Sequence, residues 1–107
     1  MDINSNYKVI FTKTAEVELD EIYNYISTTL LSENAAKKLM KKIEDKTLRL
    51  EMFPESCSIA DGYTINDVQY RKLIVDNYIL LYNLDEGSKQ VNIIHVFYGR
   101  RNYLRGI

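Results

Sequence analysis

Apolar positions along this chain follow two periods, and the place where one gives way to the other divides the sequence. Tyr7-Lys8-Val9-Ile10-Phe11-Thr12 alternates aromatic and branched apolar residues with polar ones, the pattern of a strand with one buried face. Thr14 then offers an N-cap, with Glu16 and Glu18 in the first turn, where the helix dipole favours negative charge. Ala15, Leu19, Ile22, Ile26 and Leu30 recur at steps of three or four and line one face, so a helix is predicted here. Ser32 is a second N-cap, followed by Glu33 and strong helix formers to about Met52, and Pro54 ends the run. Ala36, Leu39, Met40, Ile43, Thr47 and Leu50 form the inward face of this second helix. Only a residue or two separates the helices, so they are expected to fold back as an antiparallel hairpin.

Residues 55–69 are polar and irregular, with Asp61-Gly62 as a turn inside a loop of little regular structure. After them the period becomes two. Tyr70-Arg71-Lys72-Leu73-Ile74-Val75 and Tyr78-Ile79-Leu80-Leu81-Tyr82 flank Asp76-Asn77, a pair that tolerates the positive φ of a tight hairpin turn. Asp85-Glu86-Gly87-Ser88 supplies the next reversal, and Val91 to Tyr98 makes the last long strand. The predicted order is β-α-α-β-β-β: a helical hairpin packed on an antiparallel three-stranded meander, with the first strand added to it. This is an α+β fold of two layers, in one domain spanning residues 1–107. The sheet face away from the helices is expected to be open and to offer a binding surface.

Composition narrows the possible chemistry. A chain of 107 residues can bury a sufficient core without staples. Its longest apolar runs, such as Tyr78 to Tyr82, are far too short to span a bilayer, so no membrane role is expected. The N-terminal residues lack the basic start and apolar stretch of a secretory signal, which leads to the expectation of a cytoplasmic protein. Cys57 is the only cysteine and His95 the only histidine, which excludes an internal disulfide and a clustered zinc site, while carboxylate-bound magnesium stays open. No P-loop, Gly-rich dinucleotide fingerprint or zinc-hydrolase motif occurs, so no cofactor is expected. The net charge of −1 conceals a division: residues 1–69 carry eight Lys/Arg against twelve Asp/Glu, and residues 70–107 carry six against three. The positive third is compatible with phosphate contact, yet a pI near 5.8 is low for a protein that lives on nucleic acid.

The segment Tyr98-Gly99-Arg100-Arg101-Asn102-Tyr103 concentrates charge and aromatics. Two adjacent guanidiniums flanked by phenols suit phosphate binding and base stacking, and the competing reading is a pair of solvated arginines near a terminus. Arg71 and Lys72 point to opposite faces of their strand, so at most one shares a surface with Arg100 or Arg101, and Arg71 is the better choice. A strand-end charge that discourages edge pairing would look the same. His95 sits in an apolar strand with no partner assignable from sequence, which favours a structural position. Cys57 has no flanking His or basic residue to activate it. The lysines of the second helix are interrupted by Glu44, Asp45 and Glu51, and pairs such as Lys41 with Asp45 read as a solvated face.

Taken in order, these pieces resemble the RelE/ParE toxin family over nearly the whole chain. Thr12-Lys13-Thr14-Ala15 and Leu19-Asp20-Glu21-Ile22 look like that family's first helix, and Leu50-Glu51-Met52-Phe53-Pro54 like the end of its second. Tyr70-Arg71-Lys72-Leu73 through Tyr82 matches its central hairpin, and Val96-Phe97-Tyr98-Gly99-Arg100-Arg101 its closing strand and Gly-Arg-Arg signature. The resemblance implies the toxin of a type II toxin–antitoxin system, neutralised by a cognate antitoxin that wraps over helices and sheet. It also implies one of two targets: the ribosome, where RelE-like members cleave mRNA, or DNA gyrase, which ParE-like members trap in its cleavage complex.

For a nuclease, Arg71, Arg100 and Arg101 would stabilise charge on the scissile phosphate, with Tyr98 or Tyr103 exchanging the proton. The acidic pI and the apolar strand residues Ile79 and Leu81 fit the gyrase alternative better. Asn102 stands where an acidic residue often follows the two arginines, which puts any carboxylate role there in doubt. A third implied possibility is an inactive homologue that survives as an antitoxin-binding or repressor component.

Overall fold

The computed structural model describes residues 6–65 and 68–99. Strand β1 (Lys8–Phe11) leads into helix α1 (Lys13–Asn24), which widens into a π-helical turn at Tyr25–Thr29. Helix α2 (Glu33–Leu48) follows and tightens into a 3₁₀ turn at Arg49–Glu51. The rest is β2 (Ile59–Ile65), β3 (Val68–Val75), β4 (Tyr78–Asp85) and β5 (Gln90–Tyr98). The helix caps are local: the Ser32 hydroxyl accepts from the Ala35 N–H, as its position before Glu33 predicts. The first cap is Thr12, not Thr14, because Thr12 keeps extended backbone and its hydroxyl accepts from the Ala15 N–H.

The five strands form one sheet in the order β1-β5-β4-β3-β2, with β1 parallel to β5 and every other pair antiparallel. The first strand therefore joins the meander at β5, and the helical hairpin carries the chain from this edge of the sheet to β2 at the other. The far edge strand of the sheet, β2, occupies residues that the sequence presents as an irregular loop. Its register against β3 hides the strand period. Ile59 pairs with Arg71 and Thr64 with Gln69, so five steps along β2 match two along β3 and three residues of β2 are extra. Asp61-Gly62 belongs to that bulged stretch, a strand irregularity that mimics a turn in sequence.

Period-two alternation on β3, β4 and β5 sends Leu73, Val75, Leu80, Tyr82, Val91 and Ile93 toward the helices, where they meet Ala15, Ile26, Ala36, Leu39 and Ile43. The opposite face is less open than the pattern suggested. Ala60, Tyr70, Ile79 and Leu81 form a second buried cluster with Ile94 and Phe97 packed against it, and Leu81 is wholly buried. Among the described residues no helix is long and apolar enough to cross a membrane.

Candidate functional site

Arg71 lies on the helix-covered side of β3, opposite Tyr82 in register and in line with buried Leu73 and Val75. Its guanidinium donates from Nη1 to the Cys57 carbonyl at 2.7 Å and to the Glu55 carbonyl at 3.3 Å. Beside it the Tyr82 hydroxyl donates to the Pro54 carbonyl at 2.8 Å. Burial pushes the Tyr82 phenol well above its ordinary pKa, and the adjacent Cys57 thiol adds to the shift while Arg71 opposes it. Two neighbouring strands thus hold the segment that follows α2. That segment in turn presents Met52 and Phe53, 65 % and 62 % exposed, as an apolar surface.

Tyr98, the last residue of β5, pairs in register with Tyr78, and the two rings meet edge to face with centroids 5.4 Å apart. Burial raises the Tyr78 pKa, reinforced by the phenols of Tyr98 and Tyr25, so this aromatic end of the sheet disfavours a phenolate at Tyr78. Gly99 closes the strand: its N–H donates to the Asn77 carbonyl at 2.6 Å, and a Cβ there would come within 3.0 Å of the Ile79 side chain. Arg71 and Tyr98 are not in one cluster in register, since they lie at opposite ends of the β3–β4–β5 ladder. Arg100, Arg101 and Tyr103 lie outside the described residues.

The lysines of α2 form the solvated, ion-paired face expected of them. Lys41 reaches Asp45 at 3.2 Å and Glu44 at 3.7 Å, and its pKa is raised chiefly by the Asp45 carboxylate. Lys42 ties α2 to the β3–β4 turn through Asp76 at 3.1 Å. That turn places Asp76 at φ 54°, a conformation that aspartate tolerates in a tight turn.

Two features escaped the sequence. The first is a groove of about 650 Å³ between the outer edge of β1 and α2, lined by Val9, Phe11, Leu19, Met40, Ile43 and Leu48, with Lys37, Lys41, Glu44 and Glu51 around it. The second is a clasp between α1 and β5. Glu18 accepts the Val96 N–H at 2.7 Å, and its other carboxylate oxygen lies 3.3 Å from His95 Nδ1. No local spacing could reveal this partner, because 77 residues separate Glu18 from His95. Among the described residues no group of three or more His, Cys, Asp and Glu side chains is placed to hold a metal.

Two helices laid over one face of a mostly antiparallel five-stranded sheet, with a groove along its first strand, define the two-layer α+β fold of small bacterial toxins of the RelE/ParE type. Residues 9–103 match the family model described as the ParE toxin of the type II toxin–antitoxin system parDE, and the chain belongs to this family. Solved structures agree on the fold. The chromosomal ParDE system of P. aeruginosa superposes with a TM-score of 0.70 at 15 % identity, covering 89 % of this chain and 98 % of that one. The RelBE2 toxin–antitoxin complex of Mycobacterium tuberculosis gives 0.57 at 20 % identity, over 87 % and 98 %. A mutant of the E. coli toxin RelE in the free state gives 0.59 at 16 % identity, over 94 % and 92 %. A comparison with curated proteins found no match. The protein is a toxin of the type II toxin–antitoxin class.

Proposed function

We propose that this toxin arrests growth by binding a protein target of the DNA gyrase kind, without nuclease chemistry of its own. The observation that carries this reading is the position of Arg71. Its guanidinium is taken up by the carbonyls of Glu55 and Cys57 on the helix-covered side, so it holds a loop in place of a phosphate. The family model, built on ParE, and the low pI support the same choice. The cognate antitoxin sits in the groove beside β1, where an apolar floor of Val9, Phe11, Leu19 and Met40 calls for an amphipathic segment. Arg100 and Arg101 serve the target surface.

A nuclease reading keeps one specific support. His95 is held by Glu18 and its side chain is 35 % exposed, the arrangement of an oriented general base. Induction in a bacterial host decides between them, comparing the unaltered chain with Arg100→Ala/Arg101→Ala and with His95→Ala, while mapping mRNA ends and assaying gyrase supercoiling. Growth arrest with unchanged mRNA ends and a DNA-damage response supports the gyrase reading. New mRNA ends that require His95 and the arginines would replace it with the nuclease. No arrest would point to an inactive homologue that only binds antitoxin.

A further inference from the structure

Strand β5 has two unlike halves. Along Gln90–Ile93 its outer side is covered by β1, whose register stops at Phe11 opposite Ile93, with a last ladder bond from the Thr12 N–H to the Ile93 carbonyl. Beyond that point β5 continues to Tyr98 with, among the described residues, a strand partner on the β4 side only. A bulge marks the change: Leu81 pairs with His95 but Tyr82 with Ile93, leaving Ile94 extra. Antiparallel geometry then assigns the inward groups to His95, Phe97 and Gly99, as the Gly99 N–H to the Asn77 carbonyl shows. The outward groups are those of Val96 and Tyr98.

An outward row of N–H and C=O groups is a template for another strand. Here side chains of α1 and its cap close the first part of it. The Thr12 hydroxyl donates to the Ile94 carbonyl at 3.2 Å, and Glu18 accepts the Val96 N–H at 2.7 Å. A carboxylate on that N–H fills the place where a strand's carbonyl would arrive, and it brings negative charge that an incoming carbonyl row cannot satisfy. His95 on the second oxygen holds the carboxylate in plane.

We infer that Glu18 guards the uncovered edge of β5, preventing a second copy of this chain from adding its own Val96–Tyr98 edge to it. The edge is its own complement. Two copies related by a two-fold axis would pair Val96 and Tyr98 of one with Tyr98 and Val96 of the other, an isologous contact.

The test is the mass of the purified full chain by size exclusion with light scattering, together with amide exchange at Val96. Glu18→Ala should double the apparent mass in a concentration-dependent way. If the variant is studied dilute enough to stay single, Val96 exchange should quicken at least about tenfold. Glu18→Gln keeps an oxygen that can accept the Val96 N–H and should stay at the mass of the unaltered chain. Adding Tyr98→Pro to Glu18→Ala removes the other outward N–H while sparing the β4 ladder, and should restore the single-chain mass. Should Glu18→Ala fail to fold, Glu18→Leu, which keeps volume beside His95 but offers no acceptor, is judged on the same outcomes. A single-chain mass with unchanged Val96 exchange overturns the inference, as does association by Glu18→Gln equal to that of Glu18→Ala.

Discussion

On the helix-covered face of the sheet, Leu80, Tyr82 and Val91 are closed off by a cluster that draws on both helices and on β1. On the opposite face Leu81 is just as buried, yet its cluster is small and made of strand residues, and Ile74 two strands from β5 stands 53 % exposed. The same alternating pattern feeds both faces. What separates them is whether another layer covers the side chain, so apolar character alone does not report a residue's contribution to stability.

A pair of truncations in adjacent strands separates the two faces most clearly. Leu80→Ala removes a side chain with no exposure from the two-layer core and should cost about 2–5 kcal/mol in urea unfolding. Ile74→Ala removes one that already sees water and should cost less than about 1 kcal/mol. Similar losses for the two would mean that the helices are not the main cover.

Arg71 is the charged member of the helix-covered face, and its removal tests whether that face needs it. Arg71→Ala frees the carbonyls of Glu55 and Cys57 and should cost about 1–3 kcal/mol, with faster exchange and proteolysis in residues 53–58. Arg71→Lys offers a single ammonium in place of the fork and should recover part of the loss. If Arg71→Lys folds like the unaltered chain but no longer arrests growth, Arg71 belongs to the target surface after all.

Tyr82 ties the stability of the helix-covered face to pH. Its folded pKa is raised by burial, so the folded chain binds this proton more tightly than the unfolded one. The stability it contributes is fully present below the unfolded value of about 10 and is lost as pH rises beyond it toward the folded value. Tyr82→Phe should cost about 1 kcal/mol at neutral pH, from the bond to Pro54, and should flatten the alkaline fall in stability. An unchanged alkaline fall in that variant would assign it to other groups.

These residues also show what could be read from the chain. The helices, the Asp76 turn and β5 were legible because each rests on local signals, periodicity, the Ser32 cap and a turn pair, although the first cap falls at Thr12 and not Thr14. That Arg71 and Lys72 oppose one another was legible too, but not which of them faces the helices. Leu73 and Ile74 are equally apolar, and only the register with Tyr82 settles the side. The β2 strand was hidden by three extra residues that break its period. The contacts of Glu18 with His95 and Val96 join the first helix to the last strand and depend on the parallel β1–β5 pairing, which no local spacing encodes.

At the tip of the helical hairpin a substitution should stabilise the chain slightly. Leu31 follows the π-helical turn at φ 54°, a left-handed position that suits glycine and is strained for leucine, and its side chain is 85 % exposed. Only this geometry lets the Ser32 N–H reach back to the Ile26 carbonyl at 3.1 Å and close the helix end. Leu31→Gly removes the Cβ clash and gives up little buried surface, while the freer unfolded chain offsets part of the gain. A net stabilisation of about 0.5–1 kcal/mol is expected from thermal or urea melts. An exposed apolar side chain kept at such a position has no folding reason to be there. A Leu31→Gly chain that is more stable but binds antitoxin less tightly would show that the hairpin tip, with Leu30 and Tyr25 beside it, is held strained for a partner. Equal binding would leave the leucine without a role in that contact.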